Sequence, residues 1–326
     1  MRKLIVLCGA LAFIAPSIVV QADQDGVNNP NKHRVSSRKI IRTLRADRKY
    51  QVQKVNYDNS VFQDEPDRGG MLQLASSKAL IVNQETGETL YAKNTDLPTP
   101  IASVTKLMTA MVMLDARLPM DETLTVTEDD VDTLKGTGSR LRVGTELTRA
   151  ELLQLALMAS ENRAAAALGR NYPGGLNAFV IAMNRKASDL GMLHSHFVDP
   201  TGLNSSNMST AEDLVKMVRA AYQYAEIRQV TTTASHEVPV RGLRNPVNFV
   251  NTNILVRNSD WVIGLSKTGF INEAGRCLVM QAEIAGQPLI IVLLDSYGKY
   301  SRIGDAQRIR KWIESSDAFR QVHVAG

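Results

Sequence analysis

Three short segments of this 326-residue chain carry the residue types of an acyl-transfer site: Ser103-Val104-Thr105-Lys106, Ser160-Glu161-Asn162 and Lys267-Thr268-Gly269. A serine hydroxyl is a weak nucleophile until a neighbouring base takes its proton. On a helix, Ser103 and Lys106 share a face and come within hydrogen-bond reach of one another. A lysine serves as that base only when its pKa falls, which burial and a second cation such as Lys267 favour. A helix N-terminus also favours negative charge developing near Ser103. Ser160 and Asn162 are suited to relaying the proton. The backbone N–H groups of Ser103 and of Phe270, just past Gly269, can form an oxyanion hole. Lys267 and the Thr268 hydroxyl suit a substrate carboxylate, and Gly269 lets a substrate backbone approach the strand closely.

Pattern alone does not pick out the site, because two of the three patterns recur. S-x-x-K occurs again as Ser36-Ser37-Arg38-Lys39 and as Ser296-Tyr297-Gly298-Lys299, and S-x-N as Ser205-Ser206-Asn207, whereas Lys-Thr-Gly occurs once. Ser36 lies in a basic polar tract with no apolar face. Ser296 follows the apolar run Leu289 to Leu294, and its motif contains Gly298, which reads as the end of a strand. Ser103 is followed by Leu107-Met108-Thr109-Ala110-Met111-Val112-Met113-Leu114, an apolar helix-forming run of buried character. Pro98 and Pro100 before it suit a helix start. Each motif also has a bland reading: a surface lysine at 106, a helix-end polar group at 160, a strand end at 267–269. Their occurrence together and in this order argues against coincidence.

The elements that must hold these residues are legible in outline. Lys78 to Asn83 and Glu88 to Ala92 read as strands of a hairpin turning at Glu85-Thr86-Gly87. Leu124 to Val126 suggests a short strand, and 135–144 is glycine-rich and irregular. Thr148 and Glu151 form a capping box that opens an apolar helix, Leu152 to Met158, so Ser160 and Asn162 fall at a helix junction. Ser209 and Glu212 read as a second capping box, opening a helix through Leu214, Met217 and Val218. Later, Trp261 to Thr268 reads as a strand. Cys277 to Ile284 and Leu289 to Leu294 read as a hairpin around Gly286-Gln287, and Ile303, Ala306, Ile309 and Ile313 place an apolar stripe on a last helix. Strands at both ends with helices between imply an α/β or α+β body whose sheet joins distant segments.

Composition narrows the function classes. The first residues read as a secretory signal, with Arg2 and Lys3, the apolar stretch Leu4 to Val20, and a small-residue cleavage site at Val20-Gln21-Ala22. The competing reading is an uncleaved anchor, against which stand Pro16 and the polar residues after Ala22. Residues 23–70 read as a flexible basic leader and linker, and 71–326 as the folded domain. The formal charge of +5 is concentrated in the leader, where Asp23 to Lys49 hold eight basic and three acidic residues. The basic arm of residues 32–49 is a candidate for weak contact with anionic surfaces, or a solvated leader. Nucleic acid is not expected as a partner of an exported chain. Cys277, alone once a signal is removed, reads as a buried strand residue. Cys and His do not cluster at metal-ligand spacing, so neither metal nor cofactor is expected.

Taken together, the chain resembles the low-molecular-mass penicillin-binding proteins, serine D,D-peptidases that cut peptidoglycan stem peptides, from about Leu74 to Glu314. The resemblance is carried by the segments 100–110 and 157–165, by Leu190-Gly191-Met192, and by Phe197 to Leu203 with Pro200-Thr201-Gly202-Leu203. It implies a β-lactamase/D,D-peptidase-like fold: an antiparallel sheet flanked by helices, with an all-helical subdomain. It also implies that Ser103 forms the acyl-enzyme, Lys106 accepts its proton, Ser160 and Asn162 relay protons and position the base, and Lys267 binds substrate carboxylate. Val112 to Pro119, Asn171-Tyr172-Pro173-Gly174-Gly175 and 267–272 are similar to the D-alanyl-D-alanine endopeptidases. So is the lack of room after the last helix for a second domain or amphipathic anchor. Class A β-lactamases carry a Glu-x-x-Leu-Asn deacylation loop where this chain has Asp199-Pro200-Thr201-Gly202-Leu203. The expected activity is therefore a periplasmic D,D-endopeptidase that β-lactams acylate and leave slowly, with a D,D-carboxypeptidase or a silent wall-binding protein as the alternatives.

Overall fold

The computed structural model describes residues 72–324. The expected signal (1–22), the basic leader and linker (23–70) and Ser36 lie outside the described residues. In chain order the elements are β1 (Ser76–Asn83), β2 (Thr89–Lys93), β3 (Thr99–Pro100), α1 (Lys106–Asp115), β4 (Thr123–Thr125), β5 (Glu146–Thr148), α2 (Arg149–Met158) and α3 (Asn162–Arg170). There follow α4 (Gly175–Asp189), β6 (Met208–Ser209), α5 (Ala211–Ala221), α6 (Ala225–Thr231), β7 (Ser235–Val238), β8 (Val247–Val250), β9 (Val262–Ile271), β10 (Gly275–Ile284), β11 (Gln287–Ser296) and α7 (Ser301–Val324).

Five strands form one antiparallel sheet in the order β2-β1-β11-β10-β9. The first strand therefore pairs with the last, Ile81 opposite Ile291 and Val82 opposite Ile290. The inner strands β1, β10 and β11 are apolar without alternation because both faces of the sheet are covered. On one face Val82, Val279, Val292 and Leu294 share a core with Leu107 and Met111 of α1 and Leu214 and Val218 of α5. On the other, Ile81, Leu278, Met280 and Ile291 share a core with Ile303, Ala306, Ile309 and Ile313 of α7. The apolar helix α1 is buried from Lys106 through Met113, as a helix apolar on all sides must be.

Three sequence expectations change in detail. The region between β3 and β9 is mainly but not wholly helical, since β4 pairs with β5 and β7 with β8. Strands this short carry no readable periodicity, yet they satisfy backbone groups where connectors run between helices. The second helix cap is Thr210, whose Oγ1 accepts the Asp213 N–H at 3.1 Å. Ser209 is drawn into β6 opposite Thr99 and is unavailable as the cap. Pro100, read as a helix start, instead belongs to β3, and α1 is entered through a 3₁₀ turn at Ala102–Thr105.

A buried carboxylate ties the last helix to the first strand. Asp305 is fully buried and accepts hydrogen bonds from Ala75 N (2.9 Å), Ser76 N (2.8 Å) and Ser76 Oγ (2.5 Å) while pairing with Arg308. The Ser76 hydroxyl also meets Ser296 Oγ at 2.6 Å, so the Ser296 motif is a strand-end fixture and not a second nucleophile. Asp305→Ala strips these donors of their acceptor and is expected to cost about 3 to 5 kcal/mol, measured as a lower urea midpoint. An unchanged midpoint would mean that this tie adds nothing to stability.

Candidate active site

Ser103 sits on the 3₁₀ turn that leads into α1, three residues before the first residue of that helix. Positions i and i+3 eclipse in such a turn, and Ser103 Oγ lies 2.8 Å from Lys106 Nζ. Ala102 is held at φ 47°, a left-handed conformation that L-residues adopt at a cost. Gly202 lies directly against the strained turn. A Cβ on Gly202 would stand 1.9 Å from Ala102 O, and its φ of +81° itself calls for glycine.

Lys106 is fully buried, with Nζ 2.7 Å from Asn162 Oδ1 and 2.6 Å from the Thr201 carbonyl as well as facing Ser103. Burial lowers its pKa from 10.5 to about 7, although the carboxylates of Asp199 and Glu161 pull the other way. A neutral lysine has two N–H groups and one lone pair. Asn162 Oδ1 and the Thr201 carbonyl take the two N–H groups, so the lone pair points at the Ser103 hydroxyl. The Thr201 carbonyl is fixed by Asp199, whose carboxylate accepts from Thr201 N (2.6 Å), Thr201 Oγ1 (2.5 Å), Gly202 N (2.8 Å), Asn204 N (3.0 Å) and Asn207 Nδ2 (3.0 Å). Asn207, from the repeated S-x-N pattern, thus has a structural task. Asp199 is saturated by its own loop, unlike a carboxylate free to activate a water.

Ser160 falls at the junction between α2 and α3, at φ 60°. Lys267 reaches it from β9: its Nζ donates to Ser160 Oγ and to the Thr268 carbonyl, each at 2.8 Å. Burial, followed by the charges of Lys106 and Arg302, holds the Lys267 pKa well below its ordinary value. The Lys267 amine, expected from the sequence to bind a substrate carboxylate, is buried here and turned to Ser160. Thr268 Oγ1 donates to Thr252 Oγ1 (2.7 Å), and Thr252 N to the Met158 carbonyl (3.0 Å), which locks β9 to the end of α2.

β9 is one of the two edge strands of the sheet and packs beside the Ser103 turn. A Cβ on Gly269 would lie 3.1 Å from Ser103 N and 2.9 Å from Ile101 O, so only glycine lets the strand and the turn approach this closely. Phe270 follows, half exposed, with the Arg276 guanidinium 4.4 Å from its ring centre. Arg302, on α7, donates from Nη1 to the carbonyls of Gly269 (2.9 Å) and Cys277 (3.2 Å). Burial and the neighbouring Arg276 lower its pKa to about 10. Cys277 itself is a buried thiol pushed up to about 11 by burial, which makes it a core residue.

This geometry has known counterparts. The profile of peptidase family S11, D-alanyl-D-alanine carboxypeptidase, matches residues 61–298. The chain belongs to that family. Over 243 residues it is 51% identical to a D-alanyl-D-alanine endopeptidase of Pseudomonas aeruginosa, covering 74% of this chain and 78% of the relative. It is 49% identical to the D-alanyl-D-alanine endopeptidase of Escherichia coli over the same shares. The crystal structure of the Streptomyces K15 DD-transpeptidase superposes with a TM-score of 0.68 at 30% identity, over 74% of this chain and 97% of that one. The fold is accordingly that of the D,D-peptidases, and the chain is a serine hydrolase of that family.

Every motif residue named from the sequence converges here: Ser103, Lys106, Ser160, Asn162, Lys267, Thr268 and Gly269, with Phe270 next along the strand. Sequence reading missed the residues that support them. Asp199-Pro200-Thr201-Gly202 carries the signature of an Asx turn, but nothing local says that its Thr201 carbonyl ends on Lys106. Thr252 and Arg302 have no motif, and only the pairing of distant strands brings them in.

Proposed function

We propose that this chain is a periplasmic serine D,D-endopeptidase that hydrolyses D-alanyl–diaminopimelyl cross-links of peptidoglycan. The chemistry is carried by one observation, a buried lysine amine with a pKa near 7 standing 2.8 Å from Ser103 Oγ. Ser103 Oγ adds to the D-alanyl carbonyl carbon as its proton passes to Lys106. The oxyanion is held between the backbone N–H groups of Ser103 and Phe270. The leaving amine takes a proton delivered through Ser160, whose hydroxyl Lys267 steadies. Water then cleaves the ester with Lys106 as base, releasing the D-alanyl carboxylic acid and restoring Ser103. An extended stem peptide pairs along the open edge of β9 beside Gly269, with Lys267 and Thr268 as the groups for its carboxylate. A cavity of 430 Å³ beside Asn162, bounded by Asp129, Asp132, Leu134, Thr201 and Leu203, gives room for a branched substrate.

The relatives near half identity are named endopeptidases, which supports cross-links as the substrate. The second reading is carboxypeptidase action on terminal D-alanine, favoured by the family description and by relatives of lower identity. β-Lactams acylate Ser103 as substrate mimics. The signal segment directs export, and residues 32–49 make at most weak contact with anionic surfaces. Purified sacculi separate the two peptidase readings. Cross-linked dimeric muropeptides are expected to fall, and persistence of dimers while pentapeptide monomers shorten would overturn the endopeptidase reading in favour of the carboxypeptidase.

A further inference from the structure

The loop from Asp132 to Leu141 lies against the start of α3. Ser139 Oγ donates to Glu161 Oε2 at 2.6 Å and Arg163 Nη1 to the Leu141 carbonyl at 2.8 Å. Lys135 pairs with Glu273 at the tip of the β9–β10 hairpin. Within the loop, Asp132 Oδ1 accepts from Leu134 N (2.8 Å) and Lys135 N (3.0 Å), and its Oδ2 accepts from Thr137 N (2.8 Å) and Thr137 Oγ1 (2.6 Å). A hydroxyl has one proton. With that proton committed to Asp132, Thr137 Oγ1 can act toward Asn162 only as an acceptor, and Asn162 Nδ2 donates to it at 3.0 Å. The amide nitrogen of Asn162 is thereby fixed at the loop and its oxygen at Lys106, 2.7 Å away.

We infer that Asp132, acting through the Thr137 hydroxyl, is a positioning residue that fixes which end of the Asn162 amide faces Lys106. The direction of that amide decides whether Lys106 can serve Ser103. With the oxygen toward it, Lys106 spends an N–H on Asn162 and keeps its lone pair for the Ser103 hydroxyl. With the amide reversed, an N–H of Asn162 competes for that lone pair and also opposes the ammonium form. The inference rests on Lys106 being the base for Ser103. In Asp132→Asn an amide N–H can face Thr137, which releases the threonine proton to hold Asn162 the other way round. Thr137→Val removes the acceptor outright.

The test follows the rate of Ser103 acylation by a fluorescent penicillin across neutral pH in the full chain. Both Asp132→Asn and Thr137→Val are expected to lower the plateau rate on the order of 10²-fold and to move the midpoint of the profile to lower pH. Thr137→Ser, which keeps the hydroxyl, restores both. The other charged groups around Lys106, namely Asp199, Glu161 and Lys267, are untouched by these changes. Asp132→Asn also removes a carboxylate, so the midpoint of the charge-neutral Thr137→Val is the one that reports on the amide. A loop that is merely loosened lowers the thermal midpoint and the rate without moving the profile, and that outcome overturns the inference. Wild-type plateau and midpoint in Thr137→Val overturn it as well. An unlabelled wild type instead marks the failure of the Ser103–Lys106 reading on which it depends.

Discussion

Ser103→Ala is expected to lower turnover of cross-linked muropeptides on the order of 10⁴- to 10⁶-fold, as loss of a covalent nucleophile does elsewhere, and to abolish covalent labelling by penicillin. The change removes one oxygen from a turn whose geometry is set by Ala102, Gly202 and Gly269, so the thermal midpoint is expected to stay near that of the wild type. In the wild type, the label is expected to be retained for a long time. Deacylation by a β-lactamase route needs a carboxylate aimed at a water, and the carboxylate at the corresponding loop, Asp199, is consumed by donors of its own loop. Fast release of the label would contradict that reading of Asp199. Residual cross-link cleavage by Ser103→Ala at more than a per-mille level would point to another nucleophile.

Lys106→Met is expected to cost about 10²- to 10⁴-fold in acylation, the usual worth of a positioned general base, and the wild-type pH profile tells why. Burial depresses the pKa of Lys106 to about 7. The active form is the neutral amine, so the acylation rate should rise with pH, pass half-maximum near neutrality and level off above it. The sign on stability follows from the same shift. Below about pH 7 the folded protein must hold a buried ammonium, and this drag on stability is present in full. It is relieved as pH rises toward the ordinary lysine value of 10.5, because over that range the unfolded chain binds the proton that the native state has released. The measurement is the second-order rate of penicillin acylation as a function of pH. A rate that falls as pH rises through neutrality would assign the base to some other group.

The chemistry was more legible than the architecture that makes it work. Ser103 and Lys106 could be chosen over the repeated patterns because an unbroken apolar run follows them, and that run is the buried helix α1. The strand around Lys267 and the hairpin after it were likewise visible as apolar segments. What short-range pattern could not carry was destination. Nothing local to Lys267-Thr268-Gly269 says that the amine meets Ser160, which the pairing of β9 with β10 and the junction after α2 bring about. The Ser209 cap failed because a strand partner outcompeted a local role, and Thr210 took it. Asp132 and Asp199 bond within their own loops, and it is the neighbours they hold, Thr137 and Thr201, that reach Asn162 and Lys106. These contacts, like those of Thr252 and Arg302, join residues far apart in the chain, and no periodicity encodes those distances.

The central claim is that Ser103 is the acylated residue of a D,D-peptidase, and the most direct test is to locate the adduct. The full chain is incubated with benzylpenicillin, digested, and mapped by mass spectrometry. A single penicilloyl group on the peptide that contains Ser103, absent from Ser103→Ala, is the predicted result. An adduct on Ser160, Ser296 or any other residue, or no adduct at all, would contradict it.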